Sequence, residues 1–481
     1  MYSAGKMGAM SGRPLVVDLD GTLFLGDSAW ENLRILFLRK PLKIPEMLVQ
    51  SLQGRAALKC WLHATAGHEG EAPAMRAEVV KAVQVAKSKR RPVHLLSGAP
   101  QSLVDDTARR LDLRAKNWGS QPGANLTYAK KFFLVKRFGQ GGYDYFGDSN
   151  ADLPVFSYSD GGAVVAARPL IVRRALQANP RLRVVAPLPS FAASALKGLR
   201  AHQWIKNILL LVPLFSAHEW DQVGKWFAVL VGMASFSFLS SAVYLLNDLH
   251  DLEVDRKHPH KKSRPLASGE LKIPEALALS AFLIVAALGL AWAIGSSFFG
   301  YVAIYLVMAS LYSSWAKSKA GLDLIGLASF YTLRILAGGA ATNIVCSPWL
   351  LGYAIFLFLS LACVKRASEL HRLRGEKKHW AGGRGYGIGD LEALSGIGIS
   401  SGVVSVLVAA LYVNSTDVRI LYAQPEFLWL LCPILFYWVI RVWLKTLRGE
   451  MPEDPVLFAL KDRGSWILLF LAVAIGVAAS R

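Results

Sequence analysis

The stretch Asn247–Gly269, NDLHDLEVDRKHPHKKSRPLASG, places a regular array of oxygen ligands and a basic cluster between long apolar segments. Asn247, Asp251 and Asp255 recur every four residues, so on a helix they lie close to one face. Asp248 lies roughly a quarter-turn away, where it supports the ligands or binds a second metal ion. Such oxygens suit Mg²⁺, which keeps several waters and bridges substrate phosphates. The array therefore predicts a magnesium site for an anionic diphosphate at a membrane surface.

A basic cluster follows the array. Ammonium and guanidinium groups would meet the phosphate oxygens that the metal ion leaves uncovered. These groups belong to Lys257, Lys261, Lys262 and Arg264. The competing interpretation is a solvated charged loop between membrane helices, but such a loop does not require oxygen ligands every four residues. We therefore expect Asp251 and Asp255 to act directly in catalysis.

The composition indicates a membrane protein with a soluble part. Of the 481 residues 53% are hydrophobic, but apolar runs long enough to span a bilayer begin only after Phe191. We expect an α/β domain at 1–178, a proline-spaced linker at 179–190 and an all-α membrane domain at 191–481. The N-terminus leads straight into a strand, which predicts no signal peptide. Four scattered cysteines lack disulfide or metal spacing.

The membrane domain is expected to cross the bilayer nine times. The apolar stretches lie near 204–217, 222–246, 274–295, 297–315, 322–345, 349–370, 390–413, 425–446 and 464–480. With the first domain in the cytosol, an odd number of spans places the C-terminus outside. This predicts a multi-pass protein of the bacterial cytoplasmic membrane whose first domain and polar motifs are cytosolic.

The net charge of +20 does not predict nucleic-acid binding, because Lys and Arg concentrate in loops at 256–272, 365–384 and 441–463. That distribution is typical of cytosolic membrane loops and of contact with anionic lipid. The basic run at 365–378 either grips lipid phosphate or is simply solvated. Its Lys377 and Lys378 lie outside the residues that the structure describes.

A second polar set lies at the junction of two spans. Its members are Tyr312, Lys317, Lys319, Asp323 and Arg334. Asp323 and Arg334 lie within an apolar helix, about three turns apart. An unpaired ion at that depth is costly, so both are expected to face a polar reaction chamber. Lys317 and Lys319 either bind substrate or only anchor the topology.

The pattern NDxxDxxxD followed by RPLASG resembles the first signature of the UbiA superfamily of intramembrane prenyltransferases. The segments HPHKKSRP (258–265), LRAHQWIKN (199–207) and YSSWAKSKAGLDLIGLASFYTLRILAGG (312–339) are most similar to its decaprenyl-phosphate phosphoribosyltransferase branch. The chain departs from quinone-forming members at Asp323, which is followed at i+4 by Leu327 instead of Asp. This difference favours phosphoribosyl transfer over the use of a prenyl diphosphate.

The resemblance implies transfer at ribose C1. Mg²⁺ held by the Asn247 array would neutralise the pyrophosphate of phosphoribosyl pyrophosphate while an oxygen of polyprenyl (decaprenyl) phosphate attacks C1. Because this nucleophile is already anionic, no general base is required. The implied substrate-binding residues are Lys206, Asn207, Lys257, Lys261, Arg264, Tyr312, Lys317, Asp323 and Arg334.

Three predicted strand ends in the first domain carry a second set of polar groups. PLVVDLDGTLFLGDS (14–28) contains Asp18 and Asp20, VHLLSGAP contains Ser97, and YDYFGDSNADLP contains Asp148 and Asp152. This order resembles the haloacid dehalogenase superfamily and implies a Rossmann-like α/β fold with a helical cap. The segment 36–62 is apolar and basic enough for an interfacial cap, although core packing within the cap is an equal alternative.

The second resemblance implies a phosphatase that works through an aspartyl-phosphate. Asp18 is the implied nucleophile and Asp20 the general acid and then base. Mg²⁺ is anchored by Asp148 and Asp152, together with Asp18 and Asp20. The phosphoryl oxygens are held by Thr22, Ser97 and a lysine, which is Lys130 counting back from Phe138 or Lys131 counting forward from Asn125.

Fusion of the two catalytic parts predicts consecutive steps on one lipid. The transferase would make polyprenyl-phosphoryl 5-phosphoribose, and the phosphatase would remove the 5-phosphate to leave a precursor of lipid-linked arabinose. One alternative is an aromatic prenyltransferase joined to an unrelated phosphatase; another is a lipid-binding scaffold with a vestigial phosphatase. The expected partners are both substrates and the bilayer, without nucleic acid, and a homo-oligomer is left open.

Overall fold

The computed structural model describes residues 12–67, 73–375, 384–452 and 454–480. The chain forms two compact units. Unit 1 combines the chain up to Leu199 with Tyr244–Ser280, and unit 2 combines Arg200–Val243 with the chain from Ala281 onward. The segment that carries the Asn247 array therefore belongs to the same unit as the α/β fold.

Unit 1 is built on a parallel sheet of six strands within the described residues. The strands are β1 (Leu15–Val17), β2 (Val93–Pro100), β3 (Trp118–Ser120), β4 (Asp144–Gly147), β5 (Gly161–Val165) and β6 (Leu182–Val185). Their spatial order is β3-β2-β1-β4-β5-β6. The chain runs outward in opposite directions from β1 and β4, and a crevice for ligands forms at the carboxyl ends of strands at such a reversal.

Both faces of the sheet are buried. In β1, Leu15 and Val17 pack into one core and Val16 into another, because successive side chains of a strand point to opposite faces. A strand covered on both faces reads as a continuous apolar run, as the LVV of β1 does. These two cores hold the carboxyl end of β1 in place directly before Asp18.

Nine helices precede the boundary at Leu199 in the part of the chain described. They are α1 (Ser28–Arg39), α2 (Ile44–Leu52), α3 (Arg55–Ala66), α4 (Ala77–Ser88), α5 (Gln101–Arg110), α6 (Lys130–Phe138), α7 (Leu153–Phe156), α8 (Pro169–Ala178) and α9 (Phe191–Leu199). Helices α1 and α3 share a small core that contains Leu36 and Leu62. Helix α2 buries no residue, and Leu52 is 87% exposed. The predicted cap region thus has both a packed core and an exposed apolar helix.

The remaining helices begin after a 3₁₀ segment, Ala201–Leu211. They are α10 (Val212–Ser216), α11 (Val223–His250), α12 (Leu252–Lys257), α13 (Ile273–Ile294), α14 (Ser296–Ser314), α15 (Leu322–Thr342), α16 (Pro348–Gly375), α17 (Leu391–Val413), α18 (Thr416–Leu421), α19 (Leu431–Leu447), α20 (Pro455–Lys461) and α21 (Arg463–Ala479). Small residues allow close packing in unit 2: a Cβ at Gly398 would lie 2.1 Å from the Trp443 ring.

The described residues contain fewer candidate membrane spans than the nine that the sequence predicted. Among the described residues, seven helices are long and apolar enough to cross a bilayer, or eight if α20 and α21, which meet at 77°, form one broken span. The first expected span, near 204–217, falls on the 3₁₀ segment and the five-residue α10. The chain is an integral membrane protein by these helices, with nine spans not confirmed.

Gly162 in β5 offers a test of the sheet. Its φ is +129°, and an added Cβ would lie 2.0 Å from the backbone oxygen of Tyr145 in β4. Gly162→Ala should therefore strain the backbone by about 2 kcal/mol or more. For a unit of this size that lowers the apparent melting temperature of the purified full-length protein by roughly 5–10 °C in differential scanning fluorimetry.

Gly161→Ala is the matched control in the same strand. Its added Cβ would meet Asp144 only at 3.4 Å, an ordinary contact, and its φ is not positive. The control should melt within about 2 °C of wild type, since surface-like changes cost little. Equal melting temperatures for the two variants would contradict the register that pairs Tyr145 of β4 with Gly162 of β5.

Candidate active sites

Three buried carboxylates meet at the reversal point of the sheet. Asp18 directly follows β1, Asp148 follows β4, and Asp152 ends the 3₁₀ turn Asn150–Asp152. One oxygen from each lies within 4.8 Å of the others. Oxygen donors this close fit a hard divalent cation such as Mg²⁺. When bound, that cation would offset the phosphate charge as a nucleophile approaches.

Lys130 neutralises part of this cluster. Its Nζ donates to Asp18 Oδ2 at 2.6 Å and to Asp152 Oδ1 at 2.9 Å. Burial lowers the pKa of the ammonium, but the two carboxylates outweigh it and raise the pKa of Lys130 above its usual range. The first residue of α6 therefore brings a fixed positive charge to the end of β1.

The structure separates the two candidate lysines. Lys131 points elsewhere, with its Nζ 4.1 Å from the centroid of the Tyr158 ring. A helix turns about 100° per residue, so neighbours cannot share a direction. Lys130 is therefore the lysine that stands beside Asp18.

The carboxylates of the cluster have different proton affinities. Burial raises the pKa of Asp18, and it raises the pKa of Asp148 to about 7. Burial also opposes ionisation of Asp152, but the Lys130 ammonium and hydrogen bonds from Tyr145 and Ser149 outweigh it and lower the pKa. Asp152 is thus the best stabilised anion of the three.

Asp20 lies in the wide turn Leu19–Leu23 that follows Asp18. The Ser28 N–H donates to its Oδ1 at 2.9 Å. Burial, reinforced by the nearby charge of Asp27, raises the pKa of Asp20 to about 7. Gly21 has φ +74°, and its added Cβ would lie 2.3 Å from Asp148 Oδ2, so only glycine fits between the two strand ends.

Ser97 and Thr22 differ in their placement. Ser97, in β2, lines a cavity above Asp18, and this cavity has a volume of about 210 Å³. Thr22 is fully buried and is not among the cavity-lining residues; its hydroxyl has no hydrogen-bond partner among the described atoms. The structure therefore brings Ser97, but not Thr22, to the site.

The Asn247 array is interrupted where one helix was predicted. Helix α11 ends at His250 and α12 begins at Leu252, with Asp251 between them at φ −89° and ψ 9°. The four-residue step survives, because the Asp251 N–H bonds the Asn247 carbonyl at 2.9 Å and the Asp255 N–H bonds the Asp251 carbonyl at 2.9 Å. The ligands follow helical spacing across a break.

The array divides into two pairs. Asn247 Nδ2 donates to Asp251 Oδ2 at 3.3 Å. Arg264 Nη1 donates to both Asp248, at 3.0 Å, and Asp255, at 2.5 Å. The four residues offer the oxygen donors that Mg²⁺ prefers, and Arg264 supplies to one pair the positive charge that a cation would bring.

Besides Arg264, three lysines of this segment were predicted to bind phosphate, and of these Lys262 is exposed. Lys257 ends α12 and is exposed, and Lys261 is half-buried in the 3₁₀ turn Lys261–Ser263. Contact of Lys257, Lys261 and Lys262 with a phosphate remains a prediction.

Five side chains join this segment to α1 within unit 1. Glu31 forms a two-point ion pair with Arg256, at 2.8 and 3.1 Å. Arg34 donates to Glu253 at 2.6 Å, and Arg39 reaches the same carboxylate at 3.0 Å. The α/β fold and the Asn247 array are therefore packed as one body.

Asp323, in unit 2, does not pair with Arg334. It is fully buried, and Arg366 of α16 holds it at two points, at 2.5 and 2.9 Å. Tyr312 OH donates to the same carboxylate at 2.7 Å. Arg384 adds a third donor at 3.3 Å. The predicted solvated or lipid-gripping run at 365–378 thus contributes a buried structural cation.

Arg334 belongs to a separate network in unit 2. It donates to Asn207 Oδ1 at 2.9 Å and to Tyr305 OH at 3.1 Å, and it is 4% exposed. Lys206 forms an ion pair with Asp454 at 2.5 Å. Lys317 lies in the 3₁₀ turn Ala316–Ser318. The second polar set of the sequence therefore contributes to two separate buried clusters, one around Asp323 and one around Arg334.

Three residues with a direct part in these sites were missed by sequence reasoning. Tyr145 OH donates to Asp152 at 2.7 Å. Arg366 pairs with Asp323 across 43 residues, and Lys272 approaches Asp148 across 124 residues. A tyrosine two residues before the strand's end was a readable signal, because alternate strand residues share a face; the two long-range partners had none.

These features define an integral membrane protein with a buried carboxylate cluster in an α/β unit. A family model described as the UbiA prenyltransferase family matches residues 208–460. The chain belongs to the UbiA prenyltransferase family.

Three relatives extend this similarity. The protein y4nM of Sinorhizobium fredii is 32% identical over 457 residues, which cover 95% of this chain and 89% of that protein. The nodulation protein NoeC of Azorhizobium caulinodans is 34% identical over 283 residues, covering 58% and 90%. The decaprenyl-phosphate phosphoribosyltransferase of Mycobacterium tuberculosis is 35% identical over 194 residues, covering 39% and 64%.

The raised pKa of Asp20 predicts the pH dependence of phosphate-ester hydrolysis. Asp20 must hold its proton to act as an acid, and its pKa of about 7 means that the proton is lost as the pH rises through neutrality. The kcat/KM for a sugar phosphate should fall about tenfold per pH unit above pH 7.

p-Nitrophenyl phosphate is the control substrate, because its leaving group needs no proton. Its kcat/KM should stay nearly constant over the same range. Parallel profiles for the two substrates would show that Asp20 does not protonate the leaving group.

Proposed function

We propose that the chain is a bifunctional, Mg²⁺-dependent membrane enzyme. It transfers 5-phosphoribose from phosphoribosyl pyrophosphate to polyprenyl (decaprenyl) phosphate, releases pyrophosphate, and then removes the 5-phosphate to give polyprenyl-phosphoryl ribose, a precursor of lipid-linked arabinose. The observation that carries this proposal is the presence, in one compact unit, of the Asn247 array and the Asp18 cluster. The similarity to a decaprenyl-phosphate phosphoribosyltransferase supports the first step.

In the transfer step, the bond from ribose C1 to pyrophosphate breaks and a bond from C1 to the lipid phosphate oxygen forms. Asn247, Asp251 and Asp255 would hold Mg²⁺, which would offset the charge of the departing pyrophosphate when bound. Lys257 and Lys261 bind its remaining oxygens. The lipid phosphate is anionic before it attacks, so none of these residues has to remove a proton.

The second motif favours this reaction over aromatic prenylation. Asp323 is occupied by Arg366, and the residue at i+4 is Leu327, so a second acidic pair that would hold metal on a prenyl diphosphate is missing from this helix within the described residues. A prenyl diphosphate also has to be joined to an acceptor that loses a proton. The aromatic prenyltransferase therefore remains the weaker alternative.

In the phosphatase step, Asp18 attacks phosphorus and displaces the ribose 5-oxygen, which takes a proton from Asp20. Water then hydrolyses the aspartyl-phosphate, with Asp20 now accepting a proton. Lys130 and Ser97 stand beside Asp18, where they can hold the phosphoryl oxygens. Because both reactions belong to one chain, the lipid product stays near the second site at high effective concentration.

Reciprocal variants test the division of labour. Asp251→Ala should reduce transfer by about 100-fold or more, since loss of a metal ligand costs several kcal/mol of transition-state stabilisation. Asp18→Asn keeps the shape of the side chain but removes the nucleophile, so the 5-phosphorylated lipid should accumulate at a normal rate of synthesis. Both variants are assayed with labelled phosphoribosyl pyrophosphate, decaprenyl phosphate and Mg²⁺, and the lipids are separated by chromatography.

Glu270→Gln is the control, because Glu270 pairs only with the exposed Lys197, at 3.1 Å, among the contacts described. It should retain both activities. Normal transfer by Asp251→Ala would remove the metal assignment, and dephosphorylated lipid from Asp18→Asn would remove the nucleophile assignment.

We further propose a cytosolic position for the α/β fold and the basic loops, with the C-terminus outside. The Lys and Arg bias supports this arrangement. The segment Ala201–Ser216 supports nine spans despite its short helix: eleven 3₁₀ residues at about 2.0 Å and five α-helical residues at about 1.5 Å reach roughly 30 Å, the thickness of the hydrocarbon core. The exposed apolar residues of α2 suit the cytosolic membrane surface.

Single cysteines test the topology. Ser263 and Ser480 are exposed, and each can be replaced by cysteine after the four native cysteines are removed. A membrane-impermeant thiol reagent applied to intact cells should label only Ser480→Cys. After permeabilisation both should be labelled. Labelling of Ser263→Cys in intact cells would invert the arrangement.

A further inference from the structure

The cavity above Asp18 has one wall that does not come from the α/β fold. That wall is formed by Leu266, Gly269, Leu271, Lys272, Ile273 and Pro274. Gly269 has φ +76°, and its added Cβ would lie 2.5 Å from the backbone oxygen of Leu25, so this loop is pressed against the turn after β1. The segment that follows the Asn247 array thus completes the phosphatase cavity.

The wall also leads to a membrane span. Ile273 and Pro274 line the cavity and are the first two residues of α13, a candidate span. The cavity volume of about 210 Å³ equals about seven water volumes at roughly 30 Å³ each. A volume of this order suits a phosphorylated pentose headgroup better than a long polyprenyl chain. A lipid-linked substrate would therefore place only its headgroup in the cavity and keep its chain in the bilayer.

Four cations line the cavity, and they differ in their ionic partners. Lys59 interacts with the Asp20 carboxylate through its charge. Lys130 is 4% exposed and bonds Asp18 and Asp152, and Arg256 is held at two points by Glu31. Lys272 is 41% exposed, and its Nζ lies 3.3 Å from Asp148 Oδ2, longer than the 2.7–2.9 Å typical of a charge-assisted hydrogen bond. Its ammonium can therefore turn to a stronger anion at little cost.

We propose that Lys272 forms a second anion subsite, which binds the phosphodiester that joins the sugar to its lipid. Lys130 and Ser97 serve the phosphoryl group that is removed, and Lys272, on the wall formed by the segment after the Asn247 array, serves the phosphate that remains. This inference rests on the proposed phosphatase activity and gives it a specificity. The site selects a phosphomonoester that carries a second phosphate over a simple sugar phosphate.

Binding to an inactive background tests the subsite directly. Asp18→Asn with Asp251→Ala blocks turnover and removes the proposed metal ligand of the transferase site. Ribose 1,5-bisphosphate serves as a soluble analogue of the headgroup, and ribose 5-phosphate as the ligand without the second phosphate. Isothermal titration gives the Kd of each for the full-length protein in detergent.

Adding Lys272→Gln should weaken binding of the bisphosphate about tenfold and binding of ribose 5-phosphate less than twofold. Lys272→Arg, which retains the charge, should keep the preference for the bisphosphate. Lys197→Gln is the matched control, because Lys197 is exposed and lies outside the cavity lining. It should change neither affinity.

Equal weakening of both ligands by Lys272→Gln, or no weakening of either, would overturn the subsite. In the otherwise wild-type chain, Lys272→Gln should lower kcat/KM for the bisphosphate about tenfold more than for ribose 5-phosphate. Absence of hydrolysis by wild type would contradict the proposed phosphatase, but the difference between the two Kd values would still decide the subsite.

Discussion

Buried carboxylates that are held by cations are the constraint on which both units depend. An ionised carboxylate loses hydration worth several kcal/mol when it leaves water, so it must meet a cation or donor at its final position. Asp18 meets Lys130, and Asp323, fully buried, meets Arg366. Such pairs add little net stability compared with apolar packing. They do fix which elements can lie side by side.

The same constraint prepares the sites for ligands. In unit 1, Lys130 already balances Asp18 and Asp152, so the crowded carboxylates can coexist before any metal or substrate arrives. In the Asn247 array, Arg264 balances the charges of Asp248 and Asp255 in the same way. A phosphate or Mg²⁺ that binds would then replace an ionic partner that these side chains already have. Binding of this kind avoids exposing a bare buried charge.

The packing of the Asn247 array with the α/β fold brings the residues of the two proposed reactions into one compact unit. Glu31 and Arg34 of α1 bind Arg256 and Glu253 beside the array. The loop that follows the array closes the phosphatase cavity and ends at α13. A change that breaks the packing of this segment against α1 is therefore expected to affect both proposed reactions, whereas the Asp323 network belongs to the other unit.

Local sequence was sufficient wherever the chemistry follows a repeating backbone. Asp18 and Asp148 were expected in one site because their motifs, each at a predicted strand end, resemble those of the haloacid dehalogenase superfamily, and their strands β1 and β4 are neighbours in the sheet. The oxygen ligands of the array keep their four-residue step. The break at Asp251 and the short 3₁₀ start of the membrane domain changed the predicted helices without moving these motifs.

What only the tertiary structure decided was the choice of partners. The sequence left the choice between Lys130 and Lys131 open with a preference for Lys130, and the direction of α6 against the sheet selected Lys130. Arg366 reaches Asp323 over 43 residues, and Lys272 reaches Asp148 over 124. Backbone periodicity extends only along one element, whereas a long-range ion pair depends on how separate elements pack. The sequence by itself therefore indicated which groups are candidates for the chemistry, because motifs lie along one element, and the packing determined which of them stand together.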